Sequence, residues 1–266
     1  MMDLLKRELA PLAQEAWDEI DEQAVDVLKT HLSARKVVSV GGPKGWDYTA
    51  IPEGRLAILE DSHDVAVKTG QYQVKPLVET RTSFSLSRWE MDNIIRGARD
   101  IKLDDLEDAM KRMALFEEEA VYNGYDKGGI KGLFQSAEQE AVSFGDSGSD
   151  IMAALSKAVL MMKDAYQEGP FTLVVGEEGW NRVNTEVQGY PLIKRVRDII
   201  GGDVVFSSVV KDAVLVPYDH EDLELVIGGD FSIGYESHDA EKVNLFVAES
   251  FTFRVLDPAI IVPFKL

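Results

Sequence analysis

Histidine and carboxylate side chains occur together at three places in the sequence, and such groups could bind a metal ion or transfer protons. Glu60 and His63 have the Glu-x-x-His spacing of di-iron carboxylate bundles. Such a site needs two of these motifs on long helices, whereas this one lies in a turn-rich stretch, so we interpret it as a solvated loop. The segments Asp219–Asp222 and Glu236–Asp239 contain one histidine each but no calcium-loop spacing, and we interpret them as solvated turns.

The run Glu117-Glu118-Glu119 is a further candidate for a metal site. Consecutive residues on a helix point about 100° apart, so the three carboxylates do not converge on one ion. We therefore expect them to form a charged outer face of a helix. The glycine-rich segment 41–45 lacks the Walker A spacing, and neither a Gly-x-Gly-x-x-Gly fingerprint nor a Gly-x-Ser-x-Gly elbow occurs. The residues alone predict no active site, which favours a scaffold or binding role over an enzyme.

Trp89 lies beside Arg88 and near Arg81 in the sequence. An exposed tryptophan next to an arginine can stack on a planar ligand. A tryptophan at the start of a helix more often packs into the core, so both interpretations stay open.

Composition excludes several classes of protein. The 266 residues include 28 Lys and Arg against 47 Asp and Glu, which gives a net charge of −19. This charge disfavours binding to nucleic acid or to anionic lipid, because phosphate binding needs clusters of Lys and Arg. The absence of cysteine excludes disulfides, thiol catalysis and Cys-ligated metals. The first residues lack the apolar region of a secretory signal, so we expect a cytoplasmic protein.

Hydrophobic periodicity predicts an α+β fold, with helices concentrated in the middle of the chain and strands towards the C-terminus. Helical spacing covers residues 14–32, 87–96, 103–122, 149–166, 178–186 and 192–200. Strand patterns cover 171–175, 204–209, 213–216, 223–227, 242–247 and 252–256. Residues 35–86 contain only short β-like pieces between Gly and Pro, so this stretch forms a poor core of its own. It must wrap around its own domain or reach a neighbouring subunit.

Several segments together resemble the encapsulin family of nanocompartment shell proteins, and the resemblance extends over the whole chain. The matching segments are residues 3–12, Trp17–Asp21, Leu32–Val37, Gly42–Trp46, Trp89–Asn93, Glu168–Val174, Gly189–Leu192, Asp230–Glu236 and Glu249–Phe253. Each piece is short, and it is their shared order and spacing that make the resemblance specific.

The resemblance implies the fold of tailed-phage major capsid proteins. Residues 1–47 would then form the N-terminal helix and arm, and residues 48–80 the extended loop. Residues 81–135 would form the peripheral domain with its spine helix, residues 136–224 the axial domain, and residues 225–266 the C-terminal strands of the peripheral domain. The implied assembly is a homo-oligomeric shell of about 60 subunits, the smallest icosahedral class.

The function implied by the resemblance is sequestration of a cargo enzyme, either a ferritin-like iron-oxidising protein or a peroxidase. A C-terminal targeting peptide of the cargo would dock on the inner wall. The residues that match the family's docking groove are Leu28, Arg35, Val38, Ser39, Ile233 and Tyr235. An apolar groove with a few polar guides suits a short apolar peptide, and many weak sites add avidity. Leu28, Val38 and Ile233 could equally be ordinary core residues.

The resemblance also implies a pore and a cofactor site. The pore loop corresponds to Glu186, Val187, Gln188, Gly189 and Tyr190, and a ring of Glu186 side chains around an axis would select cations. Some family members bind flavin beside the tryptophan that matches Trp89, so a flavin such as FMN near Trp89 and Arg81 is expected here as an optional cofactor.

Two alternatives stay open. A phage or prophage capsid protein would have the same fold, but its shell must hold DNA, which the charge of −19 disfavours. A flavin or metal enzyme is the third interpretation. We expect no nucleic acid, no membrane and no required cofactor.

Overall fold

The computed structural model describes residues 4–59, 67–185 and 189–266. Its α-helices are α1 (Gln14–His31), α2 (Arg88–Ile95), α3 (Asp104–Tyr122), α4 (Leu133–Ser136), α5 (Gly148–Asp164), α6 (Glu177–Thr185) and α7 (Leu192–Ile200). Its strands are β1 (Ser39–Gly41), β2 (Ala50–Leu59), β3 (Thr69–Pro76), β4 (Val78–Ser87), β5 (Val142–Ser143), β6 (Phe171–Val175), β7 (Val204–Phe206), β8 (Ala213–Pro217), β9 (Leu223–Ile227), β10 (Ser232–His238), β11 (Lys242–Val255) and β12 (Val262–Lys265). Within these ranges, no helix is long and apolar enough to cross a membrane.

The long helix α3 begins one residue after the predicted start. Asp104, Asp105 and Glu107 occupy its first turn, where carboxylates stabilise the positive end of the helix dipole. Leu106 and Met110 recur at helical spacing and are buried against α1. This half of α3 therefore shares a core cluster with α1, α2, β4, β10 and β11.

The first sheet is built around β11, which pairs antiparallel with β4 along one side. On its other side β11 pairs with β10 and then with β9, and β1 lies parallel to β9. We predicted two separate strands here, but β11 is one strand of 14 residues. The polar pair Glu249-Ser250 interrupts the apolar pattern, yet both residues are buried and hydrogen-bonded, so the strand continues through them.

The second sheet has the order β5-β12-β8-β6-β7. Its core cluster includes side chains of α5 and α7, and the apolar run of β6 lies in its interior. The last strand, β12, pairs with β8 and β5, so the chain end belongs to this sheet. Residues 225–266 are expected to belong to the peripheral domain, whereas β12 pairs with strands of the second sheet.

A third core cluster joins the two sheets. It contains Tyr122 at the end of α3 together with Phe251 and Phe253 of β11. Val214 and Val216 of β8 belong to the same cluster. Both sheets therefore pack on the C-terminal half of α3. This half of the helix also carries the glutamates Glu117 and Glu118.

The strands β2 and β3 form a two-stranded sheet of their own. Leu56 and Tyr72 are direct cross-strand partners, and together with Ile58 they share one face of this hairpin. Their exposed fractions are 49%, 82% and 66% respectively. The expectation of a stretch without its own core is confirmed for the described part of this region. A single residue, Leu77, separates β3 from β4.

Candidate functional site

Three of the predicted docking residues, on α1 and β10, belong to or pack against the same core cluster. Leu28 on α1 and Tyr235 on β10 are partly buried against the core cluster that contains Ile233, which is only 4% exposed. The backbone N–H of Tyr235 donates to the carbonyl of Leu5 at 2.7 Å, so the N-terminal segment also contacts β10. We call Leu28, Ile233 and Tyr235 the α1–β10 face.

Val38 and Ser39 lie elsewhere. Val38 is 3% exposed and belongs to the core cluster that joins the two sheets, so it is an ordinary core residue in the single chain. Ser39 begins β1 and pairs with Glu224 of β9. The structure therefore groups three of the six candidate residues and separates these two from them.

Arg35, the sixth candidate, is held inside the molecule by three carboxylates. Its guanidinium donates to Glu117 (2.6–3.1 Å), to Asp230 (2.9 Å) and to Glu249 (2.6 Å). It also lies 4.9 Å from the ring of Phe231. Burial by itself lowers the pKa of Arg35, but the three carboxylates outweigh burial and raise it. Arg35 therefore positions the segment after α1 and has little freedom to bind a peptide directly.

The interpretation of Glu117-Glu118-Glu119 as a charged outer face is wrong for two of the three residues. Glu117 is fully buried and Glu118 is 1% exposed, whereas Glu119 is exposed. The physical reason is that α3 is covered on more than one side, by the segment after α1, by β11 and by the loop after β7. A carboxylate on either covered side finds donors there, so burial costs less than it would for an unpartnered charge.

Glu118 joins three parts of the chain through its carboxylate. It accepts hydrogen bonds from the backbone N–H groups of Ser33 (2.9 Å) and Ala34 (2.6 Å) and from the hydroxyl of Ser33. A fourth comes from the hydroxyl of Ser207 at 3.0 Å. The Ser33 hydroxyl also contacts the Tyr122 hydroxyl at 2.9 Å. Burial raises the pKa of Glu118 to about 7, and the bonds from Ser33, Ala34 and Ser207 oppose this shift.

Glu249 is buried completely in the middle of β11. Burial, and then the facing Glu117 carboxylate, raise the pKa of Glu249 well above its usual range. Its Oε2 atom has no hydrogen-bond donor among the residues that the structure describes. The neutral acid therefore fits this position best, and it leaves Glu117 and Asp230 to balance the charge of Arg35. We call the set formed by Ser33, Arg35, Glu117, Glu118, Tyr122, Ser207, Asp230 and Glu249 the charge junction.

The sequence carried one signal for the charge junction that our prediction missed. Glu249 is the one acidic residue of β11, and it directly follows the apolar run Leu245–Ala248. A buried carboxylate needs a partner, and Arg35 within the short segment 32–37 is such a partner. The pairing spans 214 residues of sequence, so local periodicity does not reveal it.

Trp89 lies in the first turn of α2 with 70% of its surface exposed, so the core interpretation is wrong. The guanidinium of Arg96 lies 5.8 Å from its ring. Arg81 lies over Phe246 at 4.2 Å, and the strand residues from Arg81 to Ser87 span about 20 Å at ~3.3 Å per residue. The exposed ring fits a stacked planar group such as a flavin, but Arg81 of the same chain is not beside it.

Three of the pore-loop candidates, Glu186, Val187 and Gln188, lie outside the described residues, as do Glu60 and His63. Gly189 has a φ of 76°, and Tyr190 is 52% exposed with the Lys194 ammonium 5.8 Å from its ring. In the described ranges, no group of three or more His, Asp or Glu side chains could hold a metal ion.

Comparison with known proteins gives a family profile and close relatives. The profile described as "Encapsulating protein for peroxidase" matches residues 2–252. A type 1 encapsulin shell protein of Rhodospirillum rubrum is 36% identical over 271 residues, covering 99% of this chain and 97% of that protein. A shell protein of the same description from Rhodococcus erythropolis is 34% identical over 253 residues, covering 95% and 96%.

Solved structures show the same fold at low sequence identity. A virus-like particle from Pyrococcus furiosus has a TM-score of 0.67 at 14% identity, covering 94% of this chain and 99% of that one. The capsid of an empty GTA particle has a TM-score of 0.56 at 14% identity, covering 88% and 90%. A myovirus capsid, that of phage XM1, reaches 0.53 at 11% identity over 85% and 90%. The predicted α+β capsid fold is thereby confirmed. With its family profile and full-length relatives, this chain belongs to the type 1 encapsulin shell proteins.

Proposed function

We propose that this chain assembles into a closed icosahedral shell of about 60 copies that sequesters a cargo enzyme in the cytoplasm. The observation that carries the proposal is full-length similarity to shell proteins, which covers 99% of this chain and 97% of the Rhodospirillum rubrum relative. The shell itself has a structural role and no catalytic one. We also propose that the segments and domains of the chain have their boundaries at residues 47, 80, 135 and 224, as the family resemblance implies, with β12 assigned to the axial domain.

Electron microscopy and mass measurement of the purified protein test assembly. About 60 subunits of 29.6 kDa each give a particle of about 1.8 MDa. A preparation that stays monomeric at micromolar concentration contradicts the proposal. A phage-type capsid would contain nucleic acid, and we expect an absorbance spectrum of protein alone because the net charge of −19 disfavours DNA.

Cargo docking takes place on the α1–β10 face in this proposal. Leu28 and Tyr235 are partly exposed and pack against the core cluster that contains buried Ile233, which would give a short apolar peptide an apolar surface. The cargo is a ferritin-like protein or a peroxidase with a C-terminal targeting peptide. Arg35 acts indirectly, because it ties the segment after α1 to Asp230, which precedes β10.

Co-expression with the cargo tests this docking. Full-length cargo is expected in purified particles, and cargo without its C-terminal peptide is not. Leu28→Glu should reduce the captured cargo about tenfold, which corresponds to about 1.4 kcal/mol for each peptide. Leu160→Glu is the matched control, since Leu160 is 60% exposed on α5, away from this face. Equal capture of the shortened cargo overturns the proposal.

The pore and the flavin are finer parts of the proposal. A ring of Glu186 side chains would admit small cations, and replacement of Glu186 by Gln should slow iron entry into loaded particles.

A flavin, if present, stacks on Trp89, whose exposed ring supports this role. Purified particles should then show flavin absorbance that Trp89→Ala removes, whereas Trp46→Ala does not.

A further inference from the structure

A basic cavity of about 380 Å³ lies at the base of the β2–β3 hairpin. The hairpin contributes Glu53 and Arg55 from β2 and Lys75 from β3. The loop before α4 contributes Lys131, and the end of β11 contributes Arg254. The cavity thus brings together three parts of the chain that are remote in sequence.

Positive charge in this cavity exceeds negative charge. Four of the lining residues are cationic, and Glu53 is the single carboxylate among them. Arg254 is paired with Glu224 at 2.6 Å, whereas Arg55, Lys75 and Lys131 form no ion pair with any carboxylate in the described parts of the chain. The Lys75 ammonium donates to the carbonyl of Gly129 at 2.9 Å, which holds it in the cavity.

The electrostatic environment of Lys75 indicates an unmet demand for negative charge. Burial lowers the pKa of Lys75, Glu53 opposes the shift, and the nearby Lys131 and Arg254 lower it further. Like charges that line the same cavity repel one another, and an anion placed among them reduces this repulsion. A carboxylate in the cavity therefore has several donors and cations to bind.

The surroundings of the cavity favour a protein carboxylate over a small ion. Leu256 at its rim is 56% exposed, and the hairpin beside it exposes Leu56 and Tyr72. A free ion would leave these apolar side chains in water, whereas a folded segment covers them as well. Because each copy has a net charge of −19, a neighbouring copy presents many carboxylates.

We propose that this basic cavity receives an acidic segment of a second copy of this chain. The proposal rests on shell assembly as the proposed function and deepens it by naming one contact between copies. The hairpin places the cavity where its exposed apolar face and its cationic side chains can bind the same neighbour.

Carbodiimide coupling tests the contact, because it joins a lysine to a carboxylate only when the two touch. Assembled wild-type particles should give a covalent dimer on a denaturing gel, and peptide mapping should locate the bond at Lys75 or Lys131. In the double variant Lys75→Met with Lys131→Met, the yield of that covalent dimer should fall at least about fivefold. Lys157→Met is the control, since Lys157 is exposed on α5. A dimer that is unchanged in the double variant overturns the proposal.

Charge reversal gives a second, independent measurement. Lys75→Glu with Lys131→Glu should shift the sedimenting material from particles to subunits, while Lys157→Glu should assemble like wild type. Circular dichroism and thermal unfolding of the subunit check that the reversed variant folds. If wild type forms no particles, the proposed function fails; if wild type and the reversed variant assemble equally, the inference alone fails. In the remaining outcome, inorganic phosphate protects Lys75 from an acylating reagent while the charge-reversed variant assembles like wild type. That result would identify a free anion as the occupant of the cavity and would also overturn the inference.

Discussion

The charge junction and the β2–β3 hairpin differ in whether their charged and apolar side chains find partners within the same chain. The charge junction buries charged groups and satisfies them almost entirely from within one chain, through Arg35 and Glu118. The hairpin leaves apolar groups such as Ile58 in water and cationic groups such as Arg55 without an ion pair in the described structure. The first arrangement stabilises the subunit, whereas the second leaves a surface that, in our proposal, another copy covers. The following changes test this division.

Arg35→Met should have the largest effect on the subunit. It leaves the carboxylates of Glu117 and Asp230 without a cation, and breaking a buried ion pair on one side costs about 3–5 kcal/mol. Urea unfolding of the unassembled subunit, followed by tryptophan fluorescence, measures the loss. Arg35→Lys is the control that keeps the charge but not the planar set of donors. A loss below about 1 kcal/mol would mean that the junction does not stabilise the subunit.

Glu118 should make subunit stability depend on pH. Its pKa in the folded chain is about 7, above the usual value, so the folded state binds the proton more tightly than the unfolded state. Its contribution is therefore fully present below the usual pKa and is lost as pH rises through about 7. Between pH 4.5 and 8 the free energy of unfolding should fall by roughly 2–3 kcal/mol more in wild type than in Glu118→Gln.

The exposed neighbour of Glu118 supplies the control for this pH effect. Glu119 lies on the same helix, is exposed and accepts a hydrogen bond from Asn123 at 2.8 Å. Glu119→Gln should retain the wild-type dependence on pH in the same urea titrations. If Glu118→Gln and Glu119→Gln give parallel curves, another group is responsible.

Ser207→Ala should have a smaller effect. It removes the one hydrogen bond to Glu118 that comes from the loop after β7, and such a loss costs about 1 kcal/mol. With fewer donors for the carboxylate, the pKa of Glu118 should rise further, which NMR titration of a ¹³C-labelled carboxyl group can detect. Ser208→Ala, in the next position and exposed, is the matched control. An unchanged pKa would show that Ser207 does not bind the charged form.

Ile58→Asp with Tyr72→Asp should change the free energy of unfolding of the subunit least, by about 0.5 kcal/mol or less. Both side chains are already exposed to solvent, at 66% and 82%, so folding buries little of them. The same variant should fail to form particles if, as we propose, a second copy covers the apolar face of the hairpin. Leu160→Asp, also exposed, should assemble normally. A double variant that unfolds at much lower urea concentration would show that the hairpin packs within its own chain.

Local pattern predicted most elements because their apolar faces recur at short spacing. The strand Phe171–Val175 and the helix Leu192–Ile200 are observed at their predicted bounds. The helix α5 begins slightly earlier, because Ser147 is its N-cap and accepts from the backbone N–H of Asp150. The strand β10 was missed, since Gly234 and the polar residues around it do not read as a strand.

The candidate site was less accessible to prediction than the fold. The α1–β10 face depended on a family resemblance, since Leu28 and Ile233 look like any core residues. The partners in the charge junction lie far apart in sequence, with a separation of 85 positions from Ser33 to Glu118. Whether a glutamate on α3 faces solvent or a covered side depends on what packs against that helix, which no local pattern contains.

Leu77 gives the shell a mechanical property. It is the only residue between β3 and β4, and its backbone N–H donates to the carbonyl of Thr49 at 2.9 Å. There is therefore no flexible linker between β3 and β4, and a force applied to the hairpin is transmitted directly to β4. There the load becomes shear across ten paired residues of β11, from Lys242 to Phe251, so that many backbone hydrogen bonds resist it together. Swelling pressure inside a shell would in this way be spread over the paired strands β4 and β11 of each subunit.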